Sequence, residues 1–132
     1  MFYNFSLSAF PGEGLTTGNK TTLKLTHGII HKVDIVFPPG PQGLFLLFIF
    51  DNTHQVFPTN PGGYFSGDDE IISWREHLPL LYDPFELYAY YYNFDDTFAH
   101  TVTLRIGILP VKVLAPWLLP YDERILAALG SD

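Results

Sequence analysis

Short segments in which apolar and polar residues alternate recur along the chain. The clearest covers residues 99–109, where four aliphatic side chains stand at every second position: Val102, Leu104, Ile106 and Ile108. Looser alternation covers residues 2–10, and further alternating segments cover residues 20–26 and 29–37. Because successive side chains of a strand point to opposite faces, each segment predicts a strand with one buried face.

Clusters of glycine and proline separate these segments. They occupy residues 11–14, 38–43 and 58–63, and such clusters favour turns over strands. The spacing predicts roughly seven to nine short strands, which is typical of a sandwich. We therefore expect an all-β fold, an antiparallel β-sandwich with jelly-roll-like strand order; the strand count favours that order over an immunoglobulin-like one.

Two local pairings follow from the same pattern. Residues 86–93 and 99–108 are predicted to form one hairpin across the turn at 94–97. Residues 111–114 are predicted to add a further strand after Pro110.

Two segments are apolar or aromatic on both faces. Residues 44–50 contain no polar side chain, and a row of tyrosines at 88–92 puts rings on both sides of one strand. A sandwich buries only its inner faces, so the outer faces of such strands need another cover. That cover is either another molecule, since interface centres are rich in aromatic rings, or the chain's own loops and tail.

Residues 115–132 differ in kind from the predicted sandwich domain at residues 1–114. Pro120 can begin a helix and Gly130 can end one. A helix this short is marginal alone in water, so we expect the tail, helical or extended, to dock on its own domain or on a neighbouring subunit. Its apolar residues form the predicted interface: Trp117, Leu118, Leu119, Ile125, Leu126 and Leu129.

Composition and charge narrow the classes of partner. The 132 residues are 47% hydrophobic, 17% aromatic and only 16% charged, with a net charge of −7. Residues 51–96 hold nine acids and one base, and the chain has no basic stripe, so we expect no nucleic-acid partner.

The sequence is compatible with more than one location of the protein. We expect no membrane insertion, because the longest apolar run is far shorter than the roughly 20 residues that span a bilayer. The N-terminal residues do not resemble a secretory signal. A virion and the cytoplasm are both compatible with a chain that has no cysteine.

No residue pattern indicates catalysis. The five histidines include no H-x-H pair of the type that binds metal in some jelly rolls, and no serine lies in a G-x-S-x-G elbow. The glycine-rich segments lack the lysine of a phosphate-binding loop. We therefore expect a protein without enzymatic activity and without a cofactor, apart from the possibility of calcium.

A calcium site is one alternative that the acids leave open. Hard cations take several oxygen ligands from a loop, and three consecutive acids precede an apolar segment: Asp68, Asp69 and Glu70. The spacing does not match an EF-hand, and the same acids suit a solvated turn.

A carbohydrate-binding surface is the other alternative. Aromatic rings beside carboxylates can stack on sugar rings, and the candidate residues are Trp74, Tyr88, Tyr90 and Tyr92. The competing interpretation is that these rings pack at the margin of the core with their polar ends in water.

These patterns predict a non-enzymatic structural subunit that works through protein–protein interfaces. Virion proteins, capsid-decoration proteins and surface-lattice proteins are examples of that class, and we expect a homo-oligomer or a subunit docked on a larger assembly. The alternative function is a carbohydrate-binding module, with or without calcium.

Overall fold

A computed structural model describes residues 1–12 and 18–114 of the chain. Within these residues the regular elements are eight strands and one helical turn. In chain order they are β1 (Phe2–Ala9), β2 (Asn19–Lys24), β3 (Gly28–Phe37), β4 (Phe45–Asp51), β5 (His54–Phe57), β6 (Glu70–Leu80), β7 (Glu86–Asn93), β8 (His100–Leu109) and α1 (Val111–Leu114).

The strands form two antiparallel sheets of four strands each. The first sheet has the order β1-β8-β3-β6, and the second has the order β2-β7-β4-β5. Side chains from the inner faces of both sheets join one hydrophobic cluster. The prediction of an all-β, antiparallel, β-sandwich-like fold is therefore confirmed.

The tight turn between β4 and β5 shows how local sequence sets the pairing. Asp51 pairs with His54, so only Asn52 and Thr53 connect the two strands. Asn52 has a positive φ of 56°, a conformation that asparagine tolerates better than most residues and that two-residue hairpin turns require. Among the described strands, β4 and β5 are the only consecutive pair joined by hydrogen bonds.

The predicted hairpin of residues 86–93 and 99–108 is wrong. Both segments are strands, but β7 lies in the second sheet and β8 in the first. Between them the Asp95 carboxylate accepts hydrogen bonds from the backbone N–H groups of Thr97 and Phe98, and it contacts His100. This network holds a loop that crosses between the sheets, and a turn-like sequence alone does not distinguish that loop from a hairpin turn.

The predicted strand at residues 111–114 is also wrong. Pro110 follows the last residue of β8, and the next four residues form α1. The Val111 side chain is buried against Ile29 and Leu81. The chain after β8 therefore packs against the sandwich through this apolar residue. The tail helix predicted within residues 115–132 lies outside the described residues.

The core takes one face from each long strand. In β8 the side chains of Val102, Leu104 and Ile106 are fully buried, whereas Thr101 and Arg105 are exposed. The same alternation in β4 buries Phe45 and other residues at every second position. The period-two pattern of the sequence therefore identified the inner faces correctly.

Truncating a core residue should cost far more stability than truncating an exposed one. Leu104→Ala removes a fully buried side chain from the central strand β8 and should lower the free energy of unfolding by about 2–5 kcal/mol. Ile71→Ala, at a residue that is 63% exposed, serves as the control and should cost under about 1 kcal/mol. Urea denaturation measures both; equal losses would contradict this description of the core.

Candidate interaction surface

The outer face of the second sheet is lined by rings and one leucine. The register between β4 and β7 forms three facing pairs: Leu46 with Tyr92, Phe48 with Tyr90, and Phe50 with Tyr88. All six side chains are half-buried. We call these six residues the aromatic face.

The aromatic face arises because β4 and β7 are apolar on both sides. Their inward residues include Phe45 and Tyr91, whose rings stack in the core with centroids 5.7 Å apart. Since the pleat alternates strictly, the remaining aromatic residues of each strand must point outward. Both segments that the sequence analysis identified as apolar on two sides thus meet in one sheet.

Contacts between neighbouring rings hold the aromatic face together. Phe50 meets Tyr90 edge to face with centroids 5.3 Å apart, and Phe48 lies 5.5 Å from Tyr92. The ring of Phe94, just after β7, stacks beyond Tyr92 at 6.4 Å. These separations are typical of favourable aromatic pairs, so the rings form one continuous layer that shields its own members.

Polar groups border the aromatic face at β2 and at the start of β7. The Lys20 ammonium lies 4.5 Å from the centroid of the Tyr88 ring, a cation–π contact. The Tyr88 hydroxyl donates a 2.7 Å hydrogen bond to the Glu86 carboxylate. That hydrogen bond is the largest of the effects that raise the pKa of Tyr88 above its ordinary value of 10.0.

The outer face of the first sheet has the opposite character. Lys32 and Asp34 lie within salt-bridge distance on it, and the Ser73 hydroxyl donates a hydrogen bond to the Asp34 carboxylate. Polar and charged residues of the neighbouring strands lie on the same face: Asn4, Ser6, Ser8, Arg75, Thr101, Thr103 and Arg105. The face also carries a few apolar side chains, among them Phe2, Val36 and Ile71. The two sheets therefore share one core, but the outer face of the first is mainly polar and that of the second is mainly aromatic.

Further exposed rings lie at the end of the sandwich where β1 and β7 finish. Phe10 is 73% exposed and Phe98 is 64% exposed. The buried amide of Asn93 fixes the backbone beside both rings, because its nitrogen donates to the carbonyl oxygens of Phe10 at 3.3 Å and Phe98 at 3.0 Å. Sequence reasoning did not predict this pair; the signal was two phenylalanines beside turn residues.

The carbohydrate candidates do not come together. Tyr88, Tyr90 and Tyr92 share the aromatic face, but Trp74 points inward from β6 in the other sheet. There its ring packs on Phe57 and Phe65, with centroids 5.4 and 5.2 Å away. Trp74 thus fills the gap between two sheet edges, and the tyrosines alone remain on the shared surface.

The acidic run binds the protein's own backbone. Asp68 accepts hydrogen bonds from the N–H groups of Gly40 at 2.8 Å and Gln42 at 3.1 Å, which ties two loops together. Asp69 and Glu70 follow directly, at the start of β6. Within residues 1–12 and 18–114, no three histidine, aspartate or glutamate side chains gather as a group that could hold a metal ion.

The tail residues predicted as an interface lie outside the described residues, so the structure gives no position for Trp117, Leu118, Leu119, Ile125, Leu126 or Leu129. In the described part of the chain, no helix is long and apolar enough to cross a membrane. No protein-family model matches the sequence, and no curated protein matches it significantly.

The loop that joins β7 to β8 should be sensitive to acid. The side-chain hydrogen bond with His100, 2.7 Å long, is the largest cause that lowers the pKa of Asp95, and the Thr97 N–H adds to it. A carboxyl group with a lowered folded-state pKa stabilises the fold above its unfolded-state pKa, and this contribution is lost as the pH falls through the folded-state pKa.

Asp95→Asn should therefore destabilise the protein at pH 5, and its difference from the wild type should shrink below about pH 3.9. Urea denaturation at several pH values measures this difference. Asp96→Asn is the control, because Asp96 is exposed and accepts only from the neighbouring Thr97 hydroxyl. A difference that grows as the pH falls would contradict the assignment.

Proposed function

We propose that this protein is a non-enzymatic structural subunit that assembles with copies of itself, and that the aromatic face is an assembly surface. Virion, capsid-decoration and surface-lattice proteins represent the class we have in mind. The single observation behind the proposal is the contrast between the two outer faces. A sheet whose outer side faces only water usually alternates apolar and polar residues, as β8 does and β4 does not.

The composition of the aromatic face supports a protein partner. The central residues of protein interfaces are rich in tyrosine and phenylalanine and poor in charge, with polar groups at the rim. Phe48 and Tyr90 occupy the middle of the aromatic face, while Lys20 and Glu86 border it. The aromatic face therefore has aromatic residues at its centre and charged residues at its border, as protein interfaces do.

Strand order supports the finer fold assignment, a jelly roll. The first strand pairs with the last, β2 with β7, β3 with β6 and β4 with β5. This is the pairing of one long hairpin, with its turn at residues 52–53, rolled over so that its strands divide between two sheets. We infer jelly-roll topology from this nesting, a fold that capsid proteins and lectins share, so it narrows the function only by analogy.

The tail provides a second proposed contact. We propose that its apolar residues, with Trp117 and Leu126 among them, add to the association of copies. In sequence the tail follows α1, and α1 lies at the end of the sandwich opposite Phe10 and Phe98. A chain that ends at Leu114 would separate the contribution of the tail from that of the aromatic face.

The tyrosine row supports a second candidate function, carbohydrate binding. The observation that favours it is the hydrogen bond from Tyr88 to Glu86, which holds a carboxylate beside an aromatic ring. The edge-to-face contact of Tyr90 with Phe50 favours the protein interface instead, because two rings at a steep angle to each other cannot both lie flat against one sugar.

Replacing the centre of the aromatic face should weaken assembly without unfolding the subunit. In the double variant Phe48→Thr, Tyr90→Thr, threonine preserves strand preference and removes two rings. We expect the dissociation constant for self-association to rise at least about 100-fold, since central aromatic residues dominate interface energy. Sedimentation equilibrium measures the mass, and circular dichroism checks the fold.

Tyr82→Thr is the matched control, because Tyr82 is an 84% exposed ring outside the aromatic face. It should leave the mass unchanged. If the double variant keeps the wild-type mass, the aromatic face is not the assembly surface. If the wild type binds glycans in an array and the double variant does not, with no change in mass, the result supports carbohydrate binding instead.

A further inference from the structure

Each sheet has two edge strands, and edge strands expose backbone groups that can pair with another chain. Proteins usually protect such edges with charged residues, proline, bulges or very short strands. The edges here are β1 and β6 in the first sheet and β2 and β5 in the second.

Three of the four edges carry such protection. β6 contains Arg75 and Pro79, and the pairing of β3 with it is irregular. β2 carries Lys20 and Lys24 on its outer side, and β5 is only four residues long with a register shift against β4. Each of these three edges therefore has at least one feature that discourages pairing with a further strand.

β1 has none of these protective features. Its eight residues, FYNFSLSA, include no charge and no proline, and they pair with β8 in one unbroken register. It is thus a regular, uncharged edge as long as a typical strand or longer.

The alternation of hydrogen bonds between β1 and β8 shows which backbone N–H and C=O groups of β1 point away from β8. The Ile108 N–H donates to the Met1 carbonyl at 2.8 Å, and these residues stand directly opposite in the register. Because hydrogen-bonded and non-hydrogen-bonded pairs alternate in an antiparallel ladder, the odd-numbered residues of β1 bond to β8. The N–H and C=O groups of the even-numbered residues therefore point away from β8, to the edge with which no described strand pairs: Phe2, Asn4, Ser6 and Ser8.

We infer that β1 pairs antiparallel with β1 of a second copy, across a two-fold axis, to form one continuous eight-stranded sheet. This inference rests on the proposed function and names a second surface and its partner. In such a pair, like strands face each other, so any charge on β1 would meet the same charge nearby. A chain of 16% charged residues that keeps this strand free of charge matches that requirement.

The side chains of β1 suit close approach of a second strand. Ser6 and Ser8, on the outer face, are small and polar, and their hydroxyls can bond across the new pair. On the other face the rings of Tyr3 and Phe5 stack 6.5 Å apart and are only half-buried. Pairing of two copies would cover these rings with their own counterparts and add aromatic cross-strand contacts.

Ser6→Pro tests the inference, because it removes an N–H that points to the free edge and leaves every bond to β8 in place. We expect the dissociation constant for pairing through β1 to rise on the order of 10- to 30-fold, since two-fold symmetry removes two hydrogen bonds at once. Ser6→Lys should act in the same direction through charge repulsion. Ser6→Thr, neutral and strand-compatible, should retain the wild-type mass.

Sedimentation equilibrium across a concentration series measures the mass, and urea denaturation of the monomer verifies the fold. A lower mass than the wild type in both Ser6→Pro and Ser6→Lys, with Ser6→Thr unchanged, would support pairing through β1. If both variants keep the wild-type mass while the Phe48→Thr, Tyr90→Thr variant loses it, the β1 inference is wrong and the proposed function stands. A wild type that is still monomeric at about 1 mM has a dissociation constant weaker than about 1 mM. That result would overturn both the β1 inference and the proposed function.

Discussion

Two stacked sheets can bury only their inner faces, and the rest of this structure depends on that limit. The strict alternation of the pleat sends every second side chain outward, whatever its chemistry. In β8 the outward residues are polar, as a solvated surface requires. In β4 and β7 they are mostly rings, and no third layer of the described chain covers them. The aromatic face is therefore a direct consequence of placing two doubly apolar strands side by side.

Other side chains hold the two sheets and their connecting loops together. Trp74 closes the gap between the two sheets, Asp68 ties loops together, and Asn93 with Asp95 holds the crossing between β7 and β8. Trp74 and Asp68, which the sequence suggested for ligand binding, thus contribute to the packing of the sandwich and the linking of its loops. The aromatic face and the uncharged edge strand β1 take no part in these contacts. Both are surfaces on which another protein chain can pack.

Much of the fold could be predicted from the sequence, because period-two alternation reports which side of a strand is buried. The strands around Leu104 and Val33, the doubly apolar segment at 44–50 and the shared face of Tyr88 and Tyr90 all followed from it. Sheet membership could not be predicted, since the turn after β7 has the same residue types whether the chain doubles back or crosses over. The inward position of Trp74 could not be predicted, because a tryptophan beside acidic residues is compatible with either face of an edge strand.

Hydroxyl-radical footprinting tests the central claim, that the aromatic face is covered when copies of the protein assemble. The oxidation rates of Phe48 and Tyr90 would be followed by mass spectrometry as protein concentration is raised through the assembly range, with the exposed Tyr82 as internal reference. We predict that the rates at Phe48 and Tyr90 fall several-fold as mass increases while the rate at Tyr82 stays constant. Equal rates in monomer and assembly would contradict the claim.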